Sequence, residues 1–191
     1  MDEEDSAYPG ETREPNKSDL VKICRELNRL GARYIVVGGF AIMRHGYERL
    51  TLDVDFLVAD DPENQRRVLQ ALESLPEQAI KELEGADLRD YIVVRVADEV
   101  LVDLMTRACG ISYLEAESEI EWLDEEGVRI PYASKKLLWR MKQTHREKDE
   151  LDRLFLREKL KGILPESELY PSPVTDSSSE GFLRRLWRKI F

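Results

Sequence analysis

The chain has 191 residues, of which 42% are hydrophobic and 36% charged, and its formal net charge is -10 at pH 7. This length fits one domain of ordinary size with tails, and the hydrophobic fraction is sufficient for a core, which excludes a fully disordered chain and two full domains. The acidic balance argues against non-specific nucleic-acid binding by the whole molecule, although a local basic patch could still bind it.

Neither a membrane span nor a secretory signal is predicted. The longest apolar run, at residues 34–43, is interrupted by two glycines and is shorter than the roughly 20 residues that cross a bilayer. The N-terminus opens with the acidic residues 2–5 instead of a positively charged region, which predicts a cytoplasmic protein. Cys24 and Cys109 lie in apolar segments without metal-type spacing and are expected to be free thiols.

Composition divides the chain into four parts. Residues 1–17 hold six acidic residues and two prolines, which predicts a disordered acidic lead, and residues 18–164 carry the patterns of a folded domain. Residues 165–180 have the Pro- and Ser-rich composition of a linker, and residues 181–191 form a basic amphipathic peptide without acidic residues. This peptide could dock on a protein partner or on the acidic core of its own chain, which we favour, or lie on an anionic membrane surface.

Local patterns predict a helix, a strand and a glycine turn at the start of the domain. Ser18 is a suitable N-cap, and apolar residues repeat at helical spacing up to Gly31. Residues 33–37 form a β-branched and aromatic run of strand length. The pair Gly38-Gly39 ends this strand, and a short helix is predicted over residues 40–45.

The same rules predict the rest of the domain. In chain order the elements are a strand over residues 52–58, a helix over 62–75, a hairpin of residues 90–96 and 100–105, a helix over 111–122, a strand over 128–131 and a long, locally basic helix from the N-cap Ser134 to about Lys161. Together these elements predict an α/β (α+β) fold, a small mixed β-sheet flanked by helices with a long C-terminal core helix.

Three acidic residues form the most informative pattern. Asp53 and Asp55 are two positions apart on a predicted strand, so both carboxylates lie on one face and repel each other unless a cation binds between them. Asp103 lies in an apolar strand, where an acid is costly unless it is paired or bound to a metal. Three carboxylates on adjacent strands can bind two magnesium ions about 4 Å apart, the geometry used for in-line phosphoryl transfer.

The glycine pair Gly38-Gly39 adds a second element that such a site needs. Glycines let backbone N–H groups approach a phosphate closely, and the helix that follows would present its N-terminus to the same anion. A Gly-Gly turn by itself is more often an ordinary tight turn. Its position before the acidic strand makes it informative here.

These motifs together resemble the nucleotidyltransferase superfamily with the DNA polymerase β-like fold. The resemblance covers about residues 18–160 and rests on Gly38-Gly39-Phe40-Ala41, Asp53-Val54-Asp55-Phe56-Leu57 after Arg49 and Thr51, and Val102-Asp103-Leu104. The chain is most similar to the small bacterial nucleotidyltransferases of the AbiEii toxin type. In those toxins a helix after the catalytic domain carries a pattern that resembles Lys142, Arg146, Lys148-Asp149 and Asp152.

The resemblance implies a role for each matching residue. Asp53, Asp55 and Asp103 would be the catalytic residues and the ligands of two Mg²⁺ ions, for which Mn²⁺ could substitute, and Asp103 could act as the base. The nucleotide would contact Gly38, Gly39, Arg49, Thr51, Lys142 and Arg146. Many members have Gly-Ser where this chain has Gly38-Gly39, so a serine contact to phosphate is absent.

Two functional hypotheses follow. In the first, the protein is a magnesium-dependent nucleotidyltransferase that moves an NMP from an NTP to a hydroxyl of RNA or tRNA, a protein or a small molecule, and releases pyrophosphate. In the second, it is a catalytically silent binding protein, a regulatory or toxin–antitoxin component. The three acids favour the enzyme, because a silent descendant has no reason to keep repelling carboxylates together.

Each site residue also has a structural explanation. Asp53 and Asp55 could be solvent-facing acids on an edge strand, and the charges around Lys142 and Arg146 could be ordinary ion pairs on an exposed helix. His45 is expected at a helix end, with a lesser chance of lining the site.

Overall fold

The computed structural model describes residues 12–83, 87–144 and 146–170. Its α-helices are α1 Lys17–Arg29, α2 Gly38–Arg44, α3 Pro62–Leu72, α4 Tyr113–Ala116, α5 Lys135–Met141, α6 Glu147–Leu160 and α7 Glu166–Leu169. Its strands are β1 Tyr34–Val36, β2 Asp53–Val58, β3 Val94–Ala97, β4 Leu101–Met105, β5 Arg107–Ala108, β6 Ile111–Ser112, β7 Ile120–Glu125 and β8 Val128–Ala133. In the part of the chain that is described, no helix is long and apolar enough to cross a membrane.

Six strands form one mixed sheet in the order β3-β4-β2-β1-β8-β7, and β5 and β6 form a separate two-stranded ribbon. Within the sheet, β2 pairs parallel with β4 and β1 pairs parallel with β8, while the other neighbours are antiparallel. Helix α1 packs on the sheet face that carries Tyr34 and Phe56: the two rings stack edge-on, and the Tyr34 hydroxyl donates to Oδ1 of Asn28 in α1 at 2.9 Å. The predicted mixed sheet flanked by helices is confirmed.

Helix α1 begins earlier than the sequence predicts. Asn16, not Ser18, is the N-cap. Its side chain accepts hydrogen bonds from the backbone N–H groups of Ser18 and Asp19, and its own backbone N–H donates to the carboxylate of Asp19. This reciprocal capping box satisfies more N–H groups than a serine two residues later would. Arg13, assigned to the disordered lead, forms an ion pair with Asp19 and another with Glu99.

The predicted helix over residues 111–122 is wrong. Ser112 caps a single turn, α4, with Glu115 completing its capping box, and a short 3-10 turn then leads into β7. From Ile120 the chain is extended, and β7 pairs antiparallel with all six residues of β8. Pairing with β8 therefore overrides the local helix propensity of this segment.

The long C-terminal helix is also a wrong prediction, because the chain breaks into α5 and α6. Ser134 caps α5 as predicted, but the helix ends at Met141. The guanidinium of Arg153 in α6 donates to the carbonyls of Lys142 and Thr144, which supplies partners for carbonyls that a continuous helix would satisfy itself. Helix α6 can therefore fold back against α5.

The ends of the chain lie outside the described residues, and so does His145. Predictions for residues 1–11 and for the basic peptide at residues 181–191 fall in these parts of the chain. Within the segment expected to be a linker, α7 is described: Leu169 is buried, and the indole N–H of Trp139 donates to the Glu168 carbonyl. The packed part of the chain thus extends beyond Leu164.

Candidate active site

The order of the strands brings the three predicted carboxylates together. Strands β2 and β4 are parallel neighbours, and Asp55 pairs directly with Asp103 across them. Asp53 lies two residues before Asp55, on the same face of β2. One carboxylate oxygen from each residue lies within 4.8 Å of the others. Because oxygen ligands at this spacing suit a hard divalent cation, the three acids could hold Mg²⁺ or Mn²⁺.

The glycine pair lies directly against this acidic cluster. Gly38 has a φ of +61°, and a Cβ at this residue would lie 1.8 Å from Oδ2 of Asp55. A Cβ on Gly39 would lie 2.2 Å from the hydroxyl oxygen of Thr51. Both positions therefore require glycine, the first for its backbone conformation as well as its size. The turn brings backbone N–H groups to the edge of the carboxylate cluster.

Thr51, predicted to bind nucleotide, lines the cleft beside the acids and contacts one of them. Its hydroxyl donates to the backbone carbonyl of Asp53 at 3.2 Å and lies 3.3 Å from an oxygen of the Asp53 carboxylate. Thr51 is buried under Gly39.

The acidic cluster and its burial shift the pKa of Asp55. Burial raises the pKa of Asp55 to about 6, and the negative charges of Asp53 and Asp103 act in the same direction. The ammonium of Lys142 and the backbone N–H of Gly39 oppose this pKa shift. A bound divalent cation would stabilise the ionised form of Asp55, so the cluster has the electrostatics of a cation site.

Arg95 is the main residue of the cluster that the sequence analysis missed. It lies in β3 directly opposite Asp103 in β4. Its guanidinium donates to both oxygens of Asp103, at 2.8 and 2.7 Å, and to one oxygen of Asp53 at 3.1 Å. Part of this signal was available, because a hairpin closed by residues 97–99 places residue 95 on the same face as residue 103, as its diagonal neighbour. In the structure the turn lies one residue later, and this register places Arg95 directly opposite Asp103.

Lys142 and Arg49 belong to a buried ion cluster beside the acids. The Lys142 ammonium lies 2.8 Å from Asp149 and 3.0 Å from Asp152, both in α6 and both fully buried. Arg49 approaches Asp152 at 3.2 Å, and Arg146 pairs with Asp149 at 2.8 Å while remaining largely exposed. The alternative of ordinary pairs on an exposed helix is therefore wrong for Lys142 and Asp149.

These groups border a single cleft of about 720 Å³. All nine residues predicted for the site line it: Asp53, Asp55, Asp103, Gly38, Gly39, Arg49, Thr51, Lys142 and Arg146. Arg95 and Arg107 line it as well, so five basic side chains face three acidic ones in a protein whose net charge is negative. A cleft of this size and charge suits a polyanion with a bound divalent cation.

His45 lies apart from the residues that line this cleft. Its Nε2 is 2.8 Å from the backbone carbonyl of Ala133, and burial lowers the pKa of the imidazole. His45 follows α2 as its C-cap residue, which agrees with the expectation of a helix-end histidine. Its ring joins α2 to the end of β8.

The fold of this chain is similar to solved structures of other proteins. A scan against protein-family models gives no match, and a search of curated proteins also gives none. A proposed nucleotidyltransferase from Thermotoga maritima is 12% identical with a TM-score of 0.44, over 81% of this chain and 98% of that chain. A proposed nucleotidyltransferase from H. pylori is 17% identical with a TM-score of 0.45, over 81% of this chain and 74% of that chain. At these values the likeness assigns neither activity nor substrate to this chain.

Proposed function

We propose that this protein is a magnesium-dependent nucleotidyltransferase, active in the cytoplasm, that transfers an NMP from an NTP to an acceptor hydroxyl and releases pyrophosphate. The observation that carries the proposal is the set of three carboxylates within 4.8 Å of one another, packed against the turn at Gly38. Carboxylates in this arrangement bind the paired divalent cations used for in-line phosphoryl transfer. The motif residues support a relation to the AbiEii toxin type as part of the same proposal.

The carboxylates of Asp53, Asp55 and Asp103 would hold the metal, which supplies neutralisation of the charge on the α-phosphate and on the leaving pyrophosphate. The acceptor oxygen forms a bond to the α-phosphorus, and the bond from that phosphorus to the bridging oxygen of pyrophosphate breaks. The hydroxyl proton passes to a carboxylate, for which Asp103 is the candidate.

The basic side chains of the cleft suit the triphosphate. Arg107 and Arg146 are largely exposed at the cleft, where their guanidinium groups can reach phosphate oxygens. Arg146 bonds to the buried Asp149 through Nε, so its terminal nitrogens can bind phosphate while this bond is kept. Lys142 and Arg49 are held by the buried carboxylates of α6 and contribute positive potential from the cleft wall. Charge-assisted hydrogen bonds from arginine are the usual means of binding phosphate in proteins.

One observation favours the silent binding protein as a second candidate. Arg95 pairs with Asp103 and Asp53, which lowers the formal charge of the cluster from three negative charges to two. Because Arg95 offsets part of the repulsion among the acids, the cluster can be stable without a metal, and its presence is weaker support for catalysis. A protein that retains the cluster as a structural ion pair would bind nucleotide without turning it over.

Transfer of an α-³²P label tests the proposal. The full chain is incubated with magnesium, a cell extract and each of the four NTPs in turn, and the label is followed into RNA, protein and small-molecule fractions. The matched control is Asp53→Asn/Asp55→Asn, which keeps the shape of the site and removes two of its three charges.

Label that enters one fraction with the wild type alone would support the proposal and identify both the nucleotide and the class of acceptor. If a folded wild-type protein transfers no label from any NTP, the transferase proposal fails. Binding of an NTP without transfer would then support the silent binding protein.

A further inference from the structure

Arg95 shares its partners with the metal that the proposed function requires. Its guanidinium engages both oxygens of Asp103 and one oxygen of Asp53. Those two carboxylates, with Asp55, are the group whose oxygens converge within 4.8 Å. A divalent cation at this point would therefore meet a positive charge already held on two of its three ligands, and the two cations would repel each other.

The position of Arg95 allows its guanidinium to leave the carboxylates. About half of its side chain is exposed to solvent, at 54%, whereas the side chains of Asp103 and Asp53 are 9% and 16% exposed. Among the described residues its side chain has no hydrogen-bond partners besides these two acids. Arg95 therefore lies on the open side of the cluster and can rotate toward the cleft without breaking other contacts.

The cleft supplies a second partner for the guanidinium when a nucleotide enters. A triphosphate presents several anionic oxygens, and a guanidinium binds such oxygens in the same bidentate manner as it binds a carboxylate. A bare metal ion offers no anion in exchange for Asp103 and Asp53, whereas a metal–triphosphate complex does. The exchange thus favours the complex over the free ion.

From these contacts we infer that Arg95 is a nucleotide-selecting residue, which holds Asp103 and Asp53 in the free protein and moves to the triphosphate when the metal–nucleotide complex binds. This inference rests on the proposed function, and it adds an order of binding to it. Release from Arg95 also frees both oxygens of Asp103, which makes that carboxylate available to accept the proton of the acceptor hydroxyl.

The inference predicts effects of opposite sign on two ligands. In Arg95→Gln, removal of the competing charge should tighten binding of Mn²⁺ alone by about fivefold or more, measured by electron paramagnetic resonance of the free ion. In the same variant, the affinity for inorganic tripolyphosphate in saturating Mg²⁺, measured by calorimetry, should fall by about fivefold or more. Arg95→Lys keeps the charge without the bidentate fork and should give intermediate values for both ligands.

Arg107→Gln is the matched control, because Arg107 lines the same cleft and does not contact the three acids. Its Mn²⁺ affinity should change by less than about twofold, which separates direct competition from a general change of charge. An Mn²⁺ affinity in Arg95→Gln that is unchanged or weaker than in the wild type would overturn the inference. An unchanged tripolyphosphate affinity in this variant, or Mn²⁺ binding by neither the wild type nor Arg95→Gln, would also overturn it.

The binding measurements and the label-transfer experiment distinguish failure of the role of Arg95 from failure of the transferase proposal. A wild type that transfers label, together with unchanged metal affinity in Arg95→Gln, would leave the function standing and reject the role of Arg95. Opposite shifts for Mn²⁺ and tripolyphosphate, in a protein that transfers no label, would support the role of Arg95 in binding and reject turnover. An arginine that only ties β3 to β4 would alter thermal stability in the variants without shifting the two affinities in opposite directions.

Discussion

At Asp55, burial and the charges of the neighbouring acids shift the pKa of one carboxyl group of the proposed metal site. Its pKa is raised from 3.8 to about 6, so its ionised form disfavours the folded state. Between these two pH values the folded protein keeps a proton that the unfolded chain has lost, and the free energy of unfolding therefore falls as pH rises through this window.

We expect Asp55→Asn to stabilise the metal-free protein near neutral pH, because the variant carries no buried charge at this position. The gain should be on the order of 1–3 kcal/mol at about pH 7.5 and close to zero at about pH 4, measured by urea unfolding in EDTA. Asp60→Asn, at an exposed position next to the end of β2, serves as the control and should change stability little at either pH. Equal stability of wild type and Asp55→Asn at about pH 7.5 would contradict the prediction.

At Gly38, both the backbone conformation and the close approach of Asp55 oppose a larger side chain. Alanine at this position would have to adopt a φ of +61° and place its Cβ 1.8 Å from the Asp55 carboxylate. Gly46 has a similar positive φ, +95°, but nothing lies within 4 Å of its Cβ position. The two glycines therefore separate the cost of the dihedral angle from the cost of the clash.

Gly46→Ala should lower the free energy of unfolding by about 1–2 kcal/mol, the cost of a left-handed backbone for alanine. Gly38→Ala should lower it by roughly 1–3 kcal/mol more, because Asp55 must also move. Urea unfolding of both variants measures the difference. The same loss in both would show that the contact between Gly38 and Asp55 is not tight.

At the scale of elements, the decisive feature is the junction of α5 and α6. Lys142 follows α5, and its ammonium reaches Asp149 and Asp152 on the helix that folds back beside it. All three side chains are almost completely buried. Buried charges of this kind are stable only as a set, because each one loses its hydration and depends on the others.

Lys142→Met should therefore remove the one cation that Asp149 and Asp152 share, leave each with a single arginine partner, and reduce stability by about 3–5 kcal/mol. Lys136→Met, at an exposed position on α5, is the matched control and should change stability by no more than about 0.5 kcal/mol. Chemical unfolding of both variants checks the prediction. A loss in Lys142→Met as small as in Lys136→Met would show that the ion cluster does not hold α6 in place.

At the scale of the whole molecule, the balance of charge in the cleft is opposite to that of the chain. The chain carries a net charge of -10, yet the cleft has five basic and three acidic side chains along its wall. The three acids lie on adjacent strands of the sheet, so a metal that binds them links β2 to β4. Metal binding should for this reason stabilise the folded molecule as a whole.

Addition of Mg²⁺ or Mn²⁺ should raise the melting temperature of the wild type. At a metal concentration of about 100 times Kd, the stabilisation is about 2.7 kcal/mol, or roughly 5–10 °C for a domain of this size. Asp53→Asn/Asp55→Asn should show no such increase, and Asp60→Asn should show the full one. Thermal unfolding with and without metal measures both, and an equal increase in the double variant would place the metal elsewhere.

Structural features that depend on residues close together in the chain could be predicted from the sequence. Asp53 and Asp55 lie on one face because side chains alternate along any strand, and Ser134 caps α5 because its hydroxyl is within reach of the N–H of Leu137. The hairpin of β3 and β4 and the glycine pair that begins α2 follow from similar short-range rules. Such preferences act over a few residues, so they are readable without the fold.

Contacts between residues far apart in the chain could be identified from the three-dimensional fold but not from the sequence. Asp103 faces Asp55 because β4 lies beside β2 in the sheet, and Arg95 joins them through the pairing of β3. The predicted long helix ends at Met141, and Lys142 then pairs with Asp149 and Asp152 on a helix that turns back, which also satisfies the carbonyls of Lys142 and Thr144 through Arg153. The physical reason is the same in each case: contacts between residues far apart in the chain depend on strand order and burial, and these contacts can outweigh local propensity.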